Sequence, residues 1–428
     1  MPHLARFISS ITLLELKRSF YNLKRQATQQ PYVLEIFLHI NDPYSYLLVQ
    51  ALPNIKKRYN VSLRLRSLHN INHDMFPEPE MWKINAFEDA LKLADLYSLS
   101  MPIKDPNCTE AEITEFTNQL VSVESLDSAL TDFSTIFNQY WHQGDAKQDN
   151  RRTVTLIDSK ATQQNEARLK KLGHYMSAMI YFDGEWYSGL DRLDHFEKRA
   201  NQMGLSNDST PTIYYNRTYI DFCRSVKSPS IRDTSNPNTL TLYFSIRSPY
   251  SHLGLERAVM LSEHYNIELI IKPVLPMVMR GLSVPSAKKM YIFHDTKREA
   301  EKYNIDYGFV ADPLGAGVER CYALFEYATS KGKAVEYMLA YARAVNAKGI
   351  RSDTDKGLQK ILSSCGLDWH TAKPLLNNKQ WNVWAERNLQ EMYSYGLWGV
   401  PSCLYKNMII WGQDRMFVIE NEILKDFA

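Results

Sequence analysis

The chain has 428 residues, 44% apolar and 23% charged, with a formal net charge of +2. The length exceeds one ordinary core and favours two domains or more. The composition argues against global disorder, and the charge balance argues against any general attraction to nucleic acid or membrane.

Five cysteines (Cys108, Cys223, Cys321, Cys365 and Cys403) are scattered and never spaced C-x-x-C. That pattern argues against a disulfide framework and a zinc site, and predicts a cytoplasmic setting. No apolar run approaches the roughly 20 residues of a membrane span.

At the N-terminus the apolar stretch is broken by Ser9, Ser10 and Thr12, Glu15 follows closely, and no small-residue cleavage site appears, so it does not read as a signal peptide. Leu13, Leu14, Leu16, Phe20 and Leu23 recur at helical spacing among Lys and Arg. They predict an amphipathic basic extension over 1–30 whose apolar face packs on the protein, with a membrane-surface role as the alternative.

An internal repeat follows. LEIFLHINDPYSYL (34–47) reads like LYFSIRSPYSHL (242–253), and setting Pro43 on Pro249 gives an offset of 206 residues. The same offset matches Tyr59-Asn60-Val61 with Tyr265-Asn266-Ile267, Asp89 with Asp295, Ala94 with Ala300 and Tyr97 with Tyr303. GLDRL (189–193) answers GQDRM (412–416) at an offset of 223, so the second copy is longer in its middle. The repeat predicts domains at 31–204 and 238–428, joined by the Ser-, Asn-, Asp-, Thr- and Pro-rich connector 205–237.

In the second copy, Thr241–Ile246 alternates like a strand, Pro249 to about Tyr265 reads as a helix, and Ile267–Lys272 is a β-branched strand. Ser286–Tyr303 is helical, and four or so further helices reach about Tyr395. Gly399-Val400-Pro401 then leads to a strand at Ser402–Tyr405, a Lys406-Asn407 turn, a strand at Met408–Trp411 and a last helix. The predicted fold is α/β: two tandem thioredoxin-like domains, each interrupted by a helical insertion in the DsbA-like manner.

Ser248-Pro249-Tyr250-Ser251 stands where the first strand of such a domain meets its helix. A Ser N-cap before a Pro is also a plain helix start. S-P-Y-S after a strand, G-V-P before a hairpin and W-G-Q-D-R-M opening the last helix together resemble the 2-hydroxychromene-2-carboxylate isomerases and their relatives, the kappa-class glutathione transferases.

The resemblance implies glutathione as cofactor. Ser248 would be the catalytic serine that hydrogen-bonds its sulfur. Val400, before an expected cis-Pro401, would offer its backbone to the cysteinyl part. Gln413 and Asp414 would hold the γ-glutamyl end, and Lys288 would make a further contact. Gln413 departs from the family's usual Ser or Asn, and the family's nearby Asn has Ser283 as its closest counterpart. Lowering a thiol pKa from about 8.5 to about 6.5 needs roughly 2.7 kcal/mol. A helix N-terminus gives about 0.3–2 kcal/mol and a charged hydrogen bond about 1.5–3 kcal/mol, so the two together suffice.

In the first copy Asp42 replaces Ser248, Trp82 replaces Lys288, and Ser177 or a neighbour stands at the Pro401 position. A carboxylate there would repel a thiolate. This copy is expected to be a non-catalytic partner, with Asp191 and Arg192 retained and an internal pseudo-dimer as the arrangement the resemblance implies. Trp398 and Trp411 are read as pocket walls or core, Tyr250 as a pocket wall or a plain helix residue, and the run 297–302 as a solvated helix face.

The expected activity is a glutathione-dependent isomerisation of a small aromatic substrate. A kappa-like transferase and a non-catalytic glutathione-binding scaffold are the alternatives. Ser248 and Ser251 occupy the positions of a C-x-x-C, which excludes the usual dithiol exchange there; a thiol oxidoreductase using Cys403, two residues past Pro401, is the remaining reading.

Overall fold

The computed structural model describes residues 2–70, 76–142, 159–220, 222–224 and 238–426. The chain forms two compact units: Glu15–Ile220, and a second that joins Met1–Leu14 to Asp221–Ala428.

The chain opens with α1 (Pro2–Ile8) and α2 (Ile11–Thr28). The first sheet region runs β1 (Val33–His39), α3 (Pro43–Arg58), β2 (Ser62–Leu68), then the helices α4 (Pro79–Tyr97), α5 (Glu110–Val123), α6 (Ala129–Trp141) and α7 (Ser159–Lys171). It closes with β3 (Met179–Phe182), β4 (Glu185–Ser188) and α8 (Leu193–Gln202), and the short α9 (Arg217–Ile220) follows.

The second sheet region begins with β5 (Thr239–Phe244), α10 (Pro249–Tyr265) and β6 (Glu268–Pro273). Its helical insertion comprises α11 (Ser286–Lys302), α12 (Ala316–Ala323), α13 (Phe325–Ser330), α14 (Ala334–Asn346), α15 (Asp355–Ser364), α16 (Trp369–Ala372) and α17 (Trp381–Ser394). The hairpin β7 (Ser402–Tyr405) and β8 (Met408–Trp411) leads into α18 (Met416–Leu424).

Both sheets have the same order, β2-β1-β3-β4 and β6-β5-β7-β8. In each, the first strand pairs in parallel with the second and antiparallel with the third. That first strand is almost wholly buried, through Leu34, Ile36, Phe37 and Leu38 in one half and Leu240, Leu242, Tyr243 and Phe244 in the other. A parallel pair needs a crossover, and α3 and α10 supply it.

Matching bonds sit at the predicted offset. Tyr44 donates to Asp89 at 2.7 Å and Tyr250 to Asp295 at 2.7 Å. The main-chain N–H of His39 reaches Ser45 Oγ at 3.2 Å, and that of Ser245 reaches Ser251 Oγ at 3.4 Å. On α8 and on α18 a fully buried glutamate, Glu197 or Glu420, accepts two main-chain N–H groups and a tyrosine hydroxyl.

Three expectations change. The connector 205–237 is ordered in its first half: Leu205 O accepts the Asn60 N–H, Thr212 O accepts Arg58, and Tyr214 and Tyr215 donate to Glu197. Asp221 and 225–237 lie outside the described residues. The insertion has six helices after α11 rather than four, because α12 and α13 are separated by one residue and α16 has a single turn.

The N-terminal extension is two helices. Its apolar row packs only in part: Leu13 and Leu14 are half-buried, while Leu16, Phe20 and Leu23 face solvent. The first helix packs within the C-terminal unit instead, with Arg6 5.4 Å over the Phe309 ring and Ser9 Oγ 3.4 Å from Gly308 O.

Candidate active site

Ser248 lies where the chain leaves β5 and enters α10. It is the N-cap, at φ −77° and ψ 120°, with Pro249 in the first turn. Its hydroxyl oxygen accepts the Ser251 N–H at 3.2 Å, which satisfies one orphan donor of the helix. Its single proton points toward Val400 O at 3.4 Å, a long and weak contact. The side chain is half-buried. A hydroxyl held this way can turn its proton to a better acceptor at little cost, with positive helix partial charge beside it.

Val400-Pro401 is a cis peptide, as expected. Helix α10 approaches this turn closely at Gly254, where a Cβ would stand 2.8 Å from the Pro401 ring and 3.8 Å from Gln413 Cβ. One helix therefore gathers Ser248, the Val400-Pro401 turn and the start of the last helical segment.

Gln413 differs from the expected role. It is fully buried, and its side-chain oxygen accepts Arg257 Nη1 at 2.6 Å. Its amide donates to Asp414 Oδ1 at 2.5 Å and lies 3.4 Å from Glu299. The side chain is committed inward, so it is not presented to a ligand, while the half-buried Asp414 is the more accessible of the pair. Arg257, wholly buried, lies 4.0 Å over Tyr303 and 4.5 Å over Phe222. Arg257, Glu299 and Gly254 are the site-supporting residues that sequence reading missed. The available signal was a charged pair and a glycine inside the apolar run LGLERAV.

Lys288 lies in the first turn of α11, half-buried, and burial pushes its ammonium below the ordinary lysine value. Ser283 is exposed in the preceding loop.

Tyr250 is tied to Asp295, which also takes Arg298 at 2.6 Å, so it braces α10 against α11. Trp398 and Trp411 are 4.6 Å apart; Trp411 packs on the Tyr243–Met392 core and Trp398 is 4% exposed, which assigns the pair to the core. The run 297–302 is only partly solvated, since Glu299 and Ala300 are buried.

Cys403 is 1% exposed, its sulfur lies 3.9 Å from Met416 Sδ, and burial pushes its thiol up to about 12. A buried neutral thiol is no nucleophile at neutral pH, which removes the oxidoreductase reading for this residue. Among the described residues no cluster of His, Cys, Asp and Glu could hold a metal, and no helix is long and apolar enough to cross a membrane.

The corresponding corner of the N-terminal half is closed on itself. Asp42 caps α3 and is 2% exposed. Its carboxylate accepts Tyr44 N–H at 3.0 Å and the Ser45 and Ser177 hydroxyls at 2.7 Å each. Burial raises its pKa despite these bonds. Ala178 follows Ser177, at φ 54°, where the other half has Pro401. Trp82 packs 4.8 Å from Phe76, and Arg192 is buried.

Residues 239–424 match the family model of the DSBA-like thioredoxin domain, and the C-terminal half carries that fold. Curated relatives include the 2-hydroxychromene-2-carboxylate isomerase of Pseudomonas putida, 23% identical over 187 residues, covering 42% of this chain and 91% of the relative. The enzyme of the same name from Sphingobium xenophagum is 23% identical over 194 residues, covering 44% and 98%. Among solved structures, a 2-hydroxychromene-2-carboxylate isomerase aligns with 44% of this chain and 95% of its own, at 23% identity and TM-score 0.38. A cytosolic disulfide reductase from Pseudomonas aeruginosa aligns over 44% and 100%, at 13% identity and TM-score 0.33.

Proposed function

We propose that the C-terminal half is a glutathione-dependent isomerase of the 2-hydroxychromene-2-carboxylate type, acting on a small α,β-unsaturated aromatic acid. The observation that carries the reading is the Ser248 hydroxyl: half-buried at a helix N-terminus, its oxygen engaged by Ser251 N–H and its proton only loosely held by Val400 O. The curated relatives, aligned over nearly their whole length, support this substrate class.

The residues fit glutathione in part. Ser248 offers a donor for sulfur, the Val400 main chain lies beside it, Lys288 offers a cation for a carboxylate, and Asp414 offers a partner for the amine. Gln413 does not fit as a direct ligand, and we assign it to holding Asp414. Bound glutathione would supply a thiolate that adds to the conjugated double bond and leaves unchanged after rotation about the resulting single bond. Ser248 would stabilise the negative sulfur by turning its proton from Val400 O, a charged hydrogen bond of about 1.5–3 kcal/mol. The N-terminus of α10 would add its own field there.

The N-terminal half reads as a duplicate that has lost the chemistry. The shared strand order and the offset Tyr–Asp and Tyr–Glu bonds support common ancestry. Asp42, sealed by two hydroxyls, would oppose a thiolate.

Calorimetry of glutathione binding to the parent protein and to Ser248→Ala, Asp414→Ala and Asp42→Ala tests the reading. One site per chain is expected. Asp414→Ala should weaken it at least tenfold, Ser248→Ala should abolish the thiolate absorbance, and Asp42→Ala should leave both unchanged. Absence of binding to the parent would overturn the proposal; binding without turnover of a hydroxychromene carboxylate would leave a glutathione-binding scaffold.

A further inference from the structure

Helix α2 is attached to the protein by the opposite face from that expected of a soluble helix. Its inner side is polar and aromatic. Arg18 makes a paired contact with Glu185, at 2.7 Å from Nε and 2.9 Å from Nη2. The Tyr21 hydroxyl lies 3.1 Å from that of Tyr181, and its ring fills the space where Gly184 lacks a Cβ. Arg25 pairs with Asp183 and lies 3.8 Å over the Tyr32 ring. These contacts with the β3–β4 hairpin fix the helix's rotation and turn its apolar row outward.

The outer row is Leu16, Phe20 and Leu23, spaced i, i+4, i+7 and exposed by 63%, 64% and 65%. The small Ser19 and Ala27 lie within or beside this stripe, and the exposed Lys17 and Lys24 form one shoulder of it. Glu15 is the one acidic residue of the helix. Large apolar side chains aligned on one exposed face mark an interaction surface rather than ordinary surface scatter.

The charge pattern selects the partner. Both arginines are consumed by pairs within the unit, while the two lysines remain exposed beside the apolar stripe. A second copy laid antiparallel on this face would bring lysine against lysine. An anionic surface meets them favourably, and their long stems let the ammonium groups reach polar headgroups while the apolar row enters the interface.

We propose that the outer face of α2 is a peripheral docking surface for an anionic lipid bilayer. It holds the protein at the membrane surface without spanning it and is independent of the proposed catalysis.

The test is co-sedimentation of the full chain with vesicles of phosphatidylcholine alone and of phosphatidylcholine mixed with phosphatidylglycerol. Binding to the mixed vesicles is expected, weakening with added salt. The Lys17→Gln and Lys24→Gln changes should each reduce it by about fivefold, the size expected for one basic residue near an anionic surface. Leu16→Ser with Phe20→Ser and Leu23→Ser should abolish it; these residues are exposed, and circular dichroism checks that the variant is folded. Failure to bind the mixed vesicles, or retained binding in the folded triple variant, overturns the proposal. So does a parent dimer in analytical ultracentrifugation that the triple variant converts to a monomer, since the face would then belong to a second copy.

Discussion

At the scale of the residue, two N-caps at matching positions have opposite electrostatics. Ser248 keeps a rotatable proton near a half-open corner, whereas Asp42 places a carboxyl in a sealed one. Desolvation raises the Asp42 pKa above its ordinary 3.8, so the folded state holds this proton to higher pH than the unfolded state does. Its contribution to stability is therefore complete below about pH 4 and is lost as pH rises through the elevated folded value. Asp42→Asn should be no less stable than the parent at neutral pH and should remove that part of the pH dependence. Asp42→Ala leaves Tyr44 N–H and two hydroxyls without their acceptor and should cost about 1–3 kcal/mol. Urea unfolding at acidic and neutral pH checks both, and an unchanged pH slope in Asp42→Asn would refute the assignment.

At the scale of the element, the contact of α10 with the Val400-Pro401 turn depends on Gly254. The matching residues of the other half are Leu48 and Ala178: where the turn residue is small the helix residue is large, and the reverse. Gly254→Ala forces a Cβ to 2.8 Å from the proline ring. It should cost about 1–3 kcal/mol, as overpacking does, and, on the proposed reading, weaken glutathione binding by displacing Val400 from Ser248. Pro401→Ala in the Gly254→Ala background should recover part of the stability, a coupling of more than about 0.5 kcal/mol in a double-mutant cycle. Strict additivity would show that the two do not press on each other.

Elements whose signals are local were legible in sequence. Ser248-Pro249 starts α10, and the Lys406-Asn407 turn, with Lys406 at φ 53°, separates β7 from β8 at the expected bounds. Arg257, Glu299 and Gln413 meet from three separate segments, and no local pattern specifies such a meeting. The leucine row of α2 misled for a related reason. Its period is helical, but the hairpin that sets its rotation lies more than 150 residues away in sequence.

At the scale of the whole molecule, the compact unit containing the candidate site includes both ends of the chain, because Met1–Leu14 belongs with Asp221–Ala428. The ties are the Arg6–Phe309 contact, the His3–Phe309 ring pair at 5.2 Å and Ser9 Oγ against Gly308 O. Two units should give two calorimetric unfolding transitions. Glutathione, on the proposed reading, should move only one; at about ten times its Kd the stabilisation is about 1.4 kcal/mol, or roughly 3–5 °C for a unit of about 200 residues. Deleting residues 2–10 removes an exposed cation–π contact and a buried hydroxyl contact, together worth on the order of 1–2 kcal/mol. The deletion should lower the same transition that glutathione raises and leave the other in place. If the deletion instead lowers the transition that glutathione does not move, then α1 does not stabilise the unit containing Ser248.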